Sequence, residues 1–298
     1  MSSIQEKLIR DFLNHLQYQK RFSPNTLIAY KNDLSVFFNF VEKEYTPVLL
    51  KDIKPAFIRS WLATLRENEI TAKSINRKIS ALKSFFKFYM AEGLVDKNPL
   101  TSVISPKTNK QLPVFLDEKA TDYLFQQIEF PNTFKGKTDH LIIALLYETG
   151  MRLSELTGLQ ELNVDAYHTS VKVLGKRNKE RIIPISKNLL NEITQYIAEK
   201  NLQSLQNQYV LVTEKGKPLY PKYVYNIVKH YLSLSTTIRK KSPHVLRHTF
   251  ATQVLNNGAS LNDVKELLGH SSLAATQVYT HNSIEKLKEA FSRAHPKA

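Results

Sequence analysis

A mainly helical protein of two domains, the second carrying a small β-hairpin, is what this sequence predicts, and three observations carry that reading. The chain has 298 residues, enough for two domains that each bury a core. Apolar residues recur at helical spacing through the first hundred positions. Strand-like runs of β-branched residues occur only on either side of a basic turn near residues 171–185. The expected division is a helical domain at 1–105, a linker at 106–113 and an α+β domain at 114–298.

Each element follows from local chemistry. Ile4 to Gln19 reads as the first helix. Ser23 then offers an N-cap with Pro24 preset for the first helical position, and Leu27, Tyr30, Leu34, Phe37, Phe38 and Val41 follow on one face. A third helix, Pro55 to Arg66, buries Phe57, Ile58, Trp61, Leu62 and Leu65. A fourth starts after Thr71 and ends near Gly93, with Ile75, Ile79, Leu82, Phe86 and Tyr89 inward. Its other face carries Lys73, Arg77, Ser80, Ser84 and Lys87, one basic and hydroxylic stripe suited to a phosphate backbone or a major groove. A solvated helix face is the plain alternative.

Lys97 to Pro113, with its three prolines, reads as the passage between domains. Beyond it helices are expected at 117–127, 138–149, 187–200, 221–232, 243–256 and 260–268. Val171–Leu174 and Arg181–Ile185 pair as a hairpin around Gly175–Glu180.

Composition narrows the function classes. There are 42 Lys and Arg against 27 Asp and Glu, a formal net charge of +15, and both parts contribute: +8 before residue 111 and +7 after it. A polyanion is the expected partner. Cysteine is absent, so thiolate chemistry, disulfides and Cys-based metal sites are excluded. The longest apolar stretch, Leu141 to Tyr147, is too short to span a bilayer, and the N-terminus lacks the apolar core of a secretory signal. The expectation is a cytoplasmic protein without membrane insertion.

Four stretches of the second half combine into one chemistry: TGMRLSEL (149–156), LGKRNKERIIPI (174–185), SPHVLRHTFAT (242–252) and LLGHSSLAATQVYTH (267–281). Singly each has a plain alternative: a helix end, a solvated hairpin made of Lys176, Arg177, Lys179 and Arg181, a polar helix face, one tyrosine among 14. Together their residue types complete a phosphodiester reaction. Attack on phosphorus builds negative charge on the non-bridging oxygens, which Arg152 and Arg247 can clamp with forked, charge-assisted hydrogen bonds. The leaving alkoxide needs a proton, which Lys176 at the hairpin tip can deliver. Tyr279 becomes a competent nucleophile only with a cationic site and bases such as His244 or His270 nearby. A covalent phosphotyrosine then keeps the bond energy for religation, so no cofactor, ATP or metal is required.

Arg152, Lys176, His244-x-x-Arg247, His270 and Tyr279, in that order, resemble the signature of the tyrosine recombinase (phage integrase) family. The strings GKRNKER, PHVLRHTFAT and LLGHSSLAATQVYTH, the overall length and the terminal AHPKA are similar to its bacterial Xer group over almost the whole chain. The resemblance implies a helical core-binding domain and a catalytic domain forming a C-shaped clamp on double-stranded DNA with paired half-sites. It implies a 3'-phosphotyrosyl intermediate, release of a 5'-hydroxyl and strand exchange through a Holliday junction in a homo- or hetero-tetramer.

On this resemblance Tyr279 is the nucleophile, Arg152 and Arg247 the phosphate clamps, Lys176 the general acid, and His244 and His270 proton-transfer or phosphate-contacting groups. Glu155 matches the acidic position that buttresses the site. The biological setting it implies is resolution of chromosome or plasmid dimers at cell division, at the bacterial nucleoid, with a division-associated DNA translocase as a further partner. An integrase of a phage or mobile element is the alternative. Ile4 already begins the first core-binding helix, which leaves no room for the additional arm-binding domain of many integrases. A catalytically silent DNA-binding protein is disfavoured because all six positions are filled. A metal-dependent nuclease is disfavoured because no tight carboxylate cluster is visible. One departure stands out: Xer hairpins usually read GKGNKER, and Arg177 here replaces the glycine. At a positive φ that exchange costs about 1 kcal/mol.

Overall fold

A computed structural model of the chain describes residues 3–45, 48–108, 114–175, 179–205, 207–269 and residue 294. The chain divides into two compact units, Met1–Gln111 and Leu112–Ala298. Each has its own apolar core.

The first unit is helical. Helix α1 (Ser3–Asn14) runs on as a π-helical turn, His15–Gln19, and is followed by α2 (Pro24–Glu44), α3 (Pro55–Glu67) and α4 (Ala72–Ala91). The caps are those the sequence announces. Ser23 Oγ accepts the Thr26 amide at 3.3 Å and Thr71 Oγ1 accepts that of Ser74 at 3.4 Å, satisfying donors that a helix start otherwise leaves open. Phe12, Phe37, Phe38, Trp61, Phe85 and Phe86 are fully buried. They meet edge to face, Phe37 with Trp61 at 5.1 Å and Phe38 with Phe85 at 5.4 Å between ring centres, the arrangement aromatic quadrupoles favour.

One charge is buried in this core. Asp33 of α2 is 1% exposed and accepts Lys78 Nζ at 2.8 Å and the Arg77 guanidinium, both from α4. A buried carboxylate must be paired. Arg77 is therefore tied to α2 and is not a freely solvated member of the stripe, while Lys73, Ser80 and Lys87 are exposed and Ser84 is half-buried. The Ser80 hydroxyl donates back to Asn76 O.

The second unit opens with α5 (Glu118–Asp122) and its π-helical continuation Tyr123–Gln127. Helix α6 (Phe134–Thr149) begins a turn before the expected Thr138, because Thr133 Oγ1 caps Gly136 N at 3.1 Å. Every residue from Leu141 to Thr149 is buried, which accounts for the seven-residue apolar stretch: it is the middle of a central helix. Helix α7 (Leu153–Thr157) was not expected, since five residues are too few to show a period.

A three-stranded antiparallel sheet follows in the order β1 (Val164–Asp165), β2 (Ser170–Leu174) and β3 (Glu180–Pro184). The expected hairpin is β2–β3, with β1 added at its edge and Val173 opposite Arg181. Helices α8 (Lys187–Leu202), α9 (Pro221–Ser235), α10 (Pro243–Asn256) and α11 (Leu261–Leu268) complete the unit. Pro243 occupies the first turn of α10, but the Ser242 hydroxyl makes no capping bond. Ser260 and Asp263 cap α11 reciprocally. Among the described residues no helix is long and apolar enough to cross a membrane.

Candidate active site

Three arginines meet around one carboxylate where α6, α7, β3, α10 and α11 converge. Gly150 ends α6 at φ 57°, and a Cβ there would lie 2.5 Å from the Phe250 ring of α10. Only glycine both turns left-handed and lets the two helices close at this point. Arg152 follows as the N-cap of α7, and Glu155, its third residue, accepts the Arg152 amide at 2.6 Å through Oε2 and Arg152 Nη1 at 2.7 Å through Oε1. Arg181 of β3 donates to the same two oxygens, Nη1 to Oε1 at 2.7 Å and Nη2 to Oε2 at 2.8 Å. Burial pulls the Glu155 carboxyl upward, but the Arg181 contact and then those of Arg152 outweigh it and hold it at about 2. It is ionised at any working pH.

Arg247 lies on α10, three residues after His244. It is 6% exposed and donates to Gly150 O at 2.5 Å and Leu268 O at 2.7 Å. Its pKa is pushed down to about 9, first by burial and then by Arg152 and Arg181. It remains cationic at neutral pH. Arg152 Nη2 donates to Gly269 O at 3.0 Å and Arg181 Nε to Leu267 O at 2.8 Å. Three successive carbonyls at the end of α11 thus each receive one guanidinium, where the negative end of the helix dipole favours cations. With three arginines around one carboxylate the cluster carries net positive charge, and Arg152, its most accessible member, keeps N–H donors beyond those it uses.

His244 and His248 lie one turn apart on α10, each with one edge open to solvent and the rest of the ring packed against the protein. Both have lowered pKa values: His244 by burial, then Arg247, Lys240 and Arg152; His248 by burial, then His244, Lys240 and Arg247. Each is neutral at pH 7 and can accept a proton. Among the described residues no group of three or more His, Asp or Glu could hold a metal ion.

Of the residues picked out by sequence, Arg152, Glu155, His244 and Arg247 come together here. Lys176, Arg177, His270 and Tyr279 lie outside the described residues, although their neighbours Gly175 and Gly269 are described and border the cluster. The stripe Lys73, Arg77, Ser80, Ser84 and Lys87 belongs to the first unit.

Arg181 is the residue that sequence reading missed. Grouped with a solvated hairpin, it is in fact 4% exposed. A signal existed: Arg181, Ile183 and Ile185 alternate, so a face that is apolar at Ile183 of β3 and at Ile185 just beyond it begins with an arginine. Nothing local says what would pair with it.

This fold, with a cationic cluster suited to an anionic group, is that of the tyrosine recombinase class. The Phage integrase family model matches residues 114–286 and the Phage integrase, N-terminal SAM-like domain model matches 9–93. Tyrosine recombinase XerC of Staphylococcus epidermidis is 38% identical over 294 residues, covering 98% of each chain. Tyrosine recombinase XerC of Chlorobaculum tepidum is 35% identical over 315 residues, covering 97% of this chain and 94% of that one. In fold, the chain is similar to XerH site-specific recombinase bound to palindromic difH substrate, with TM-score 0.68, 23% identity and coverage of 89% and 79%. It is similar also to the Tn1549 transposon integrase in complex with circular intermediate DNA, with TM-score 0.68, 18% identity and coverage of 94% and 98%. The chain belongs to the phage integrase family and is a tyrosine site-specific recombinase.

Proposed function

We propose that the protein cuts and rejoins duplex DNA at paired half-sites through a 3'-phosphotyrosyl intermediate, and that it acts as an Xer-type resolver of chromosome or plasmid dimers. The observation that carries this reading is the convergence of Arg247 and Arg152 on the Leu268 and Gly269 carbonyls at the end of α11, directly before His270. A phosphate seated there exchanges carbonyl acceptors for its own anionic oxygens, a stronger partner for guanidinium. Tyr279 Oη attacks phosphorus, its proton passing to a neutral histidine. The P–O5' bond breaks as the P–Oη bond forms, and Lys176 protonates the departing 5'-oxygen. Arg152 and Arg247 neutralise the charge that develops on the non-bridging oxygens. Glu155 stays anionic and holds Arg152 in place. Attack by a 5'-hydroxyl from the partner strand reverses the chemistry and passes through a Holliday junction.

The test is a nicked suicide site whose released 5'-hydroxyl fragment diffuses away. The expected result is a covalent protein–DNA adduct, with a free 5'-hydroxyl end and peptide mapping to Tyr279. Recovery of cleaved DNA with no attached protein, or attachment through a 5'-phosphate, would overturn the reading. The Xer role is supported by the full-length identity to XerC proteins, and its partners follow from it: a tetramer of this chain, alone or with a paralogue, activated by a division-associated translocase.

DNA contact by α4 is part of the proposal. Because Arg77 neutralises Asp33, its removal also disturbs the fold, and the clean variant is Lys73→Gln with Lys87→Gln. Log K for duplex binding should fall with log salt by about 0.9 per neutralised phosphate, so this pair should flatten the slope by up to about 1.8. Fluorescence anisotropy from low to moderate salt measures it, and an unchanged slope would assign the stripe to solvent.

For assembly, Ile284, Leu287 and Phe291 make one apolar seam in the tail sequence, and the family resemblance suggests donation of that helix to a neighbouring subunit. The seam lies outside the described residues. Ala294, beyond it, is buried against Phe250, Val254, Val264, Leu267 and Leu268 of its own chain, and its carbonyl accepts Asn257 Nδ2 at 2.6 Å. Donation therefore requires this contact to open. Ending the chain after Asn282 should leave a folded protein that binds a half-site but loses cooperative occupancy of the full site and strand exchange. Gel shifts on half and full sites, with circular dichroism as the folding control, decide the matter. Unfolding would assign the tail to its own domain, and unaltered cooperativity would remove the donated helix.

A further inference from the structure

Arg181 turns one N–H of each of its three nitrogens into the protein. Nε goes to Leu267 O and the two terminal nitrogens go to the two oxygens of Glu155, with the residue 4% exposed. Buried to that degree, it offers DNA almost no surface. Burying a guanidinium is expensive unless it is well paired, and an aliphatic residue would continue the buried face formed by Ile183 of β3 and Ile185 just beyond it.

Two glycines show what the side chain organises. A Cβ on Gly269, where φ is +61°, would lie 3.0 Å from Arg181 Cδ and 3.3 Å from Nε and Nη1. A Cβ on Gly175 would lie 3.2 Å from Lys179 O, 3.5 Å from Glu155 Oε1 and 3.7 Å from Arg181 Nη1. Gly175 immediately precedes Lys176, and Gly269 immediately precedes His270.

We infer that Arg181 is a positioning residue for the recombination reaction: one buried guanidinium fixes the carboxylate that orients Arg152 and sets the points from which the Lys176 hairpin and the His270 segment depart. It touches no reacting atom. The inference rests on the proposed reading of Arg152 as a phosphate clamp.

A purely structural role and a positioning role separate by pH. Glu155 faces Arg152 from α7, Arg181 from β3 and Arg247 from α10; beyond them His244 and Lys240 face the arginines. In the native protein the arginines overcome burial and keep the carboxyl ionised. In Arg181→Met, burial acts on Glu155 with its largest opposing contact gone, so the carboxyl is raised and takes up a proton as pH falls. The protonated form no longer holds Arg152.

Single-turnover cleavage of a suicide half-site by the full chain is the measurement, with half-site affinity and thermal melting in parallel. Arg181→Met is expected to cleave about 100-fold slower at pH 7.5, as a small misplacement of reacting groups costs, with affinity within about threefold. The ratio of wild-type to variant rate should widen as pH is lowered from about 7.5. In Arg181→Met/Glu155→Gln, which has no carboxyl to titrate at this position, the ratio should be independent of pH. Arg181→Lys, which restores the charge but not the fork, should recover about a tenth of the wild-type rate, and it carries the test if the methionine variant does not fold. A pH-independent ratio for the single variant, a loss of affinity in step with the loss of cleavage, or cleavage within about threefold of wild type would overturn the inference. Arg152→Ala serves as the control for the parent reading. If it cleaves normally the clamp itself is wrong, whereas an inactive Arg152→Ala beside a normal Arg181→Met rejects the positioning role alone.

Discussion

Tyr279→Phe is expected to bind its DNA site with unchanged affinity and to form no covalent adduct. The substitution removes one oxygen and leaves ring, backbone and charge alone, so the phosphate contacts proposed for the arginine cluster and for the α4 stripe should be kept. What disappears is the only atom that can bond to phosphorus in the proposed scheme, so the loss is complete and not partial. Denaturing gels of the suicide reaction for wild type and variant, beside gel shifts of the same samples, give the answer. An adduct of undiminished yield from the phenylalanine variant would remove Tyr279 as the nucleophile.

Next in size are the arginines. Arg152→Ala and Arg247→Ala should each lower cleavage by about 10²- to 10³-fold, since a lost preorganised donor at the developing charge costs roughly 3–4 kcal/mol. The two variants should differ in stability. Arg247 is buried and serves Gly150 O and Leu268 O, so its removal leaves two carbonyls without donors, at about 1–3 kcal/mol for each that water does not reach. Arg152 is more accessible, with its side chain 21% exposed, and Arg181 still pairs with Glu155 in its absence, so Arg152→Ala should melt closer to wild type. A 5'-bridging phosphorothiolate separates clamping from proton donation, because sulfur leaves without a proton. It should rescue Lys176→Ala far better than either arginine variant. Equal failure to rescue all three would take Lys176 out of the general-acid role.

The charge pattern around the site also sets its response to pH. With Glu155 at about 2 and His244 and His248 lowered, the carboxylate does not titrate in the working range. Protonation of the histidines is opposed by burial and by the arginines beside them. Any acid limb in wild-type cleavage therefore belongs to the histidines and should lie below the usual histidine range, with activity falling as pH drops and they become cationic.

Sequence alone determined the helices that start with a cap and repeat every three to four residues. Ser23–Pro24, Thr71 and Ser260 each open a helix as read, because capping and periodicity are interactions within one turn. It also pointed to the enzyme class, through Arg152, His244 and Arg247 as residue types suited to phosphoryl transfer and Glu155 through the family resemblance, and the fold brings those four together. The hairpin followed from β-branched runs around a polar turn, a local pattern again.

What only the tertiary structure decided concerns charge and burial. Asp33 is buried and claims Arg77 from a helix 44 residues further along the chain. Lys200, which sequence marks as the polar end of a helix, is fully buried on Glu161 and the Asn207 and Tyr209 carbonyls. Arg181 finds its partners 26 and 86 residues away, in Glu155 and Leu267. The physical reason is common to all three. Period and propensity tell which residues share a face, but whether a cation on that face is solvated or serves as the keystone of a site depends on which carboxylates and helix ends the rest of the chain brings against it.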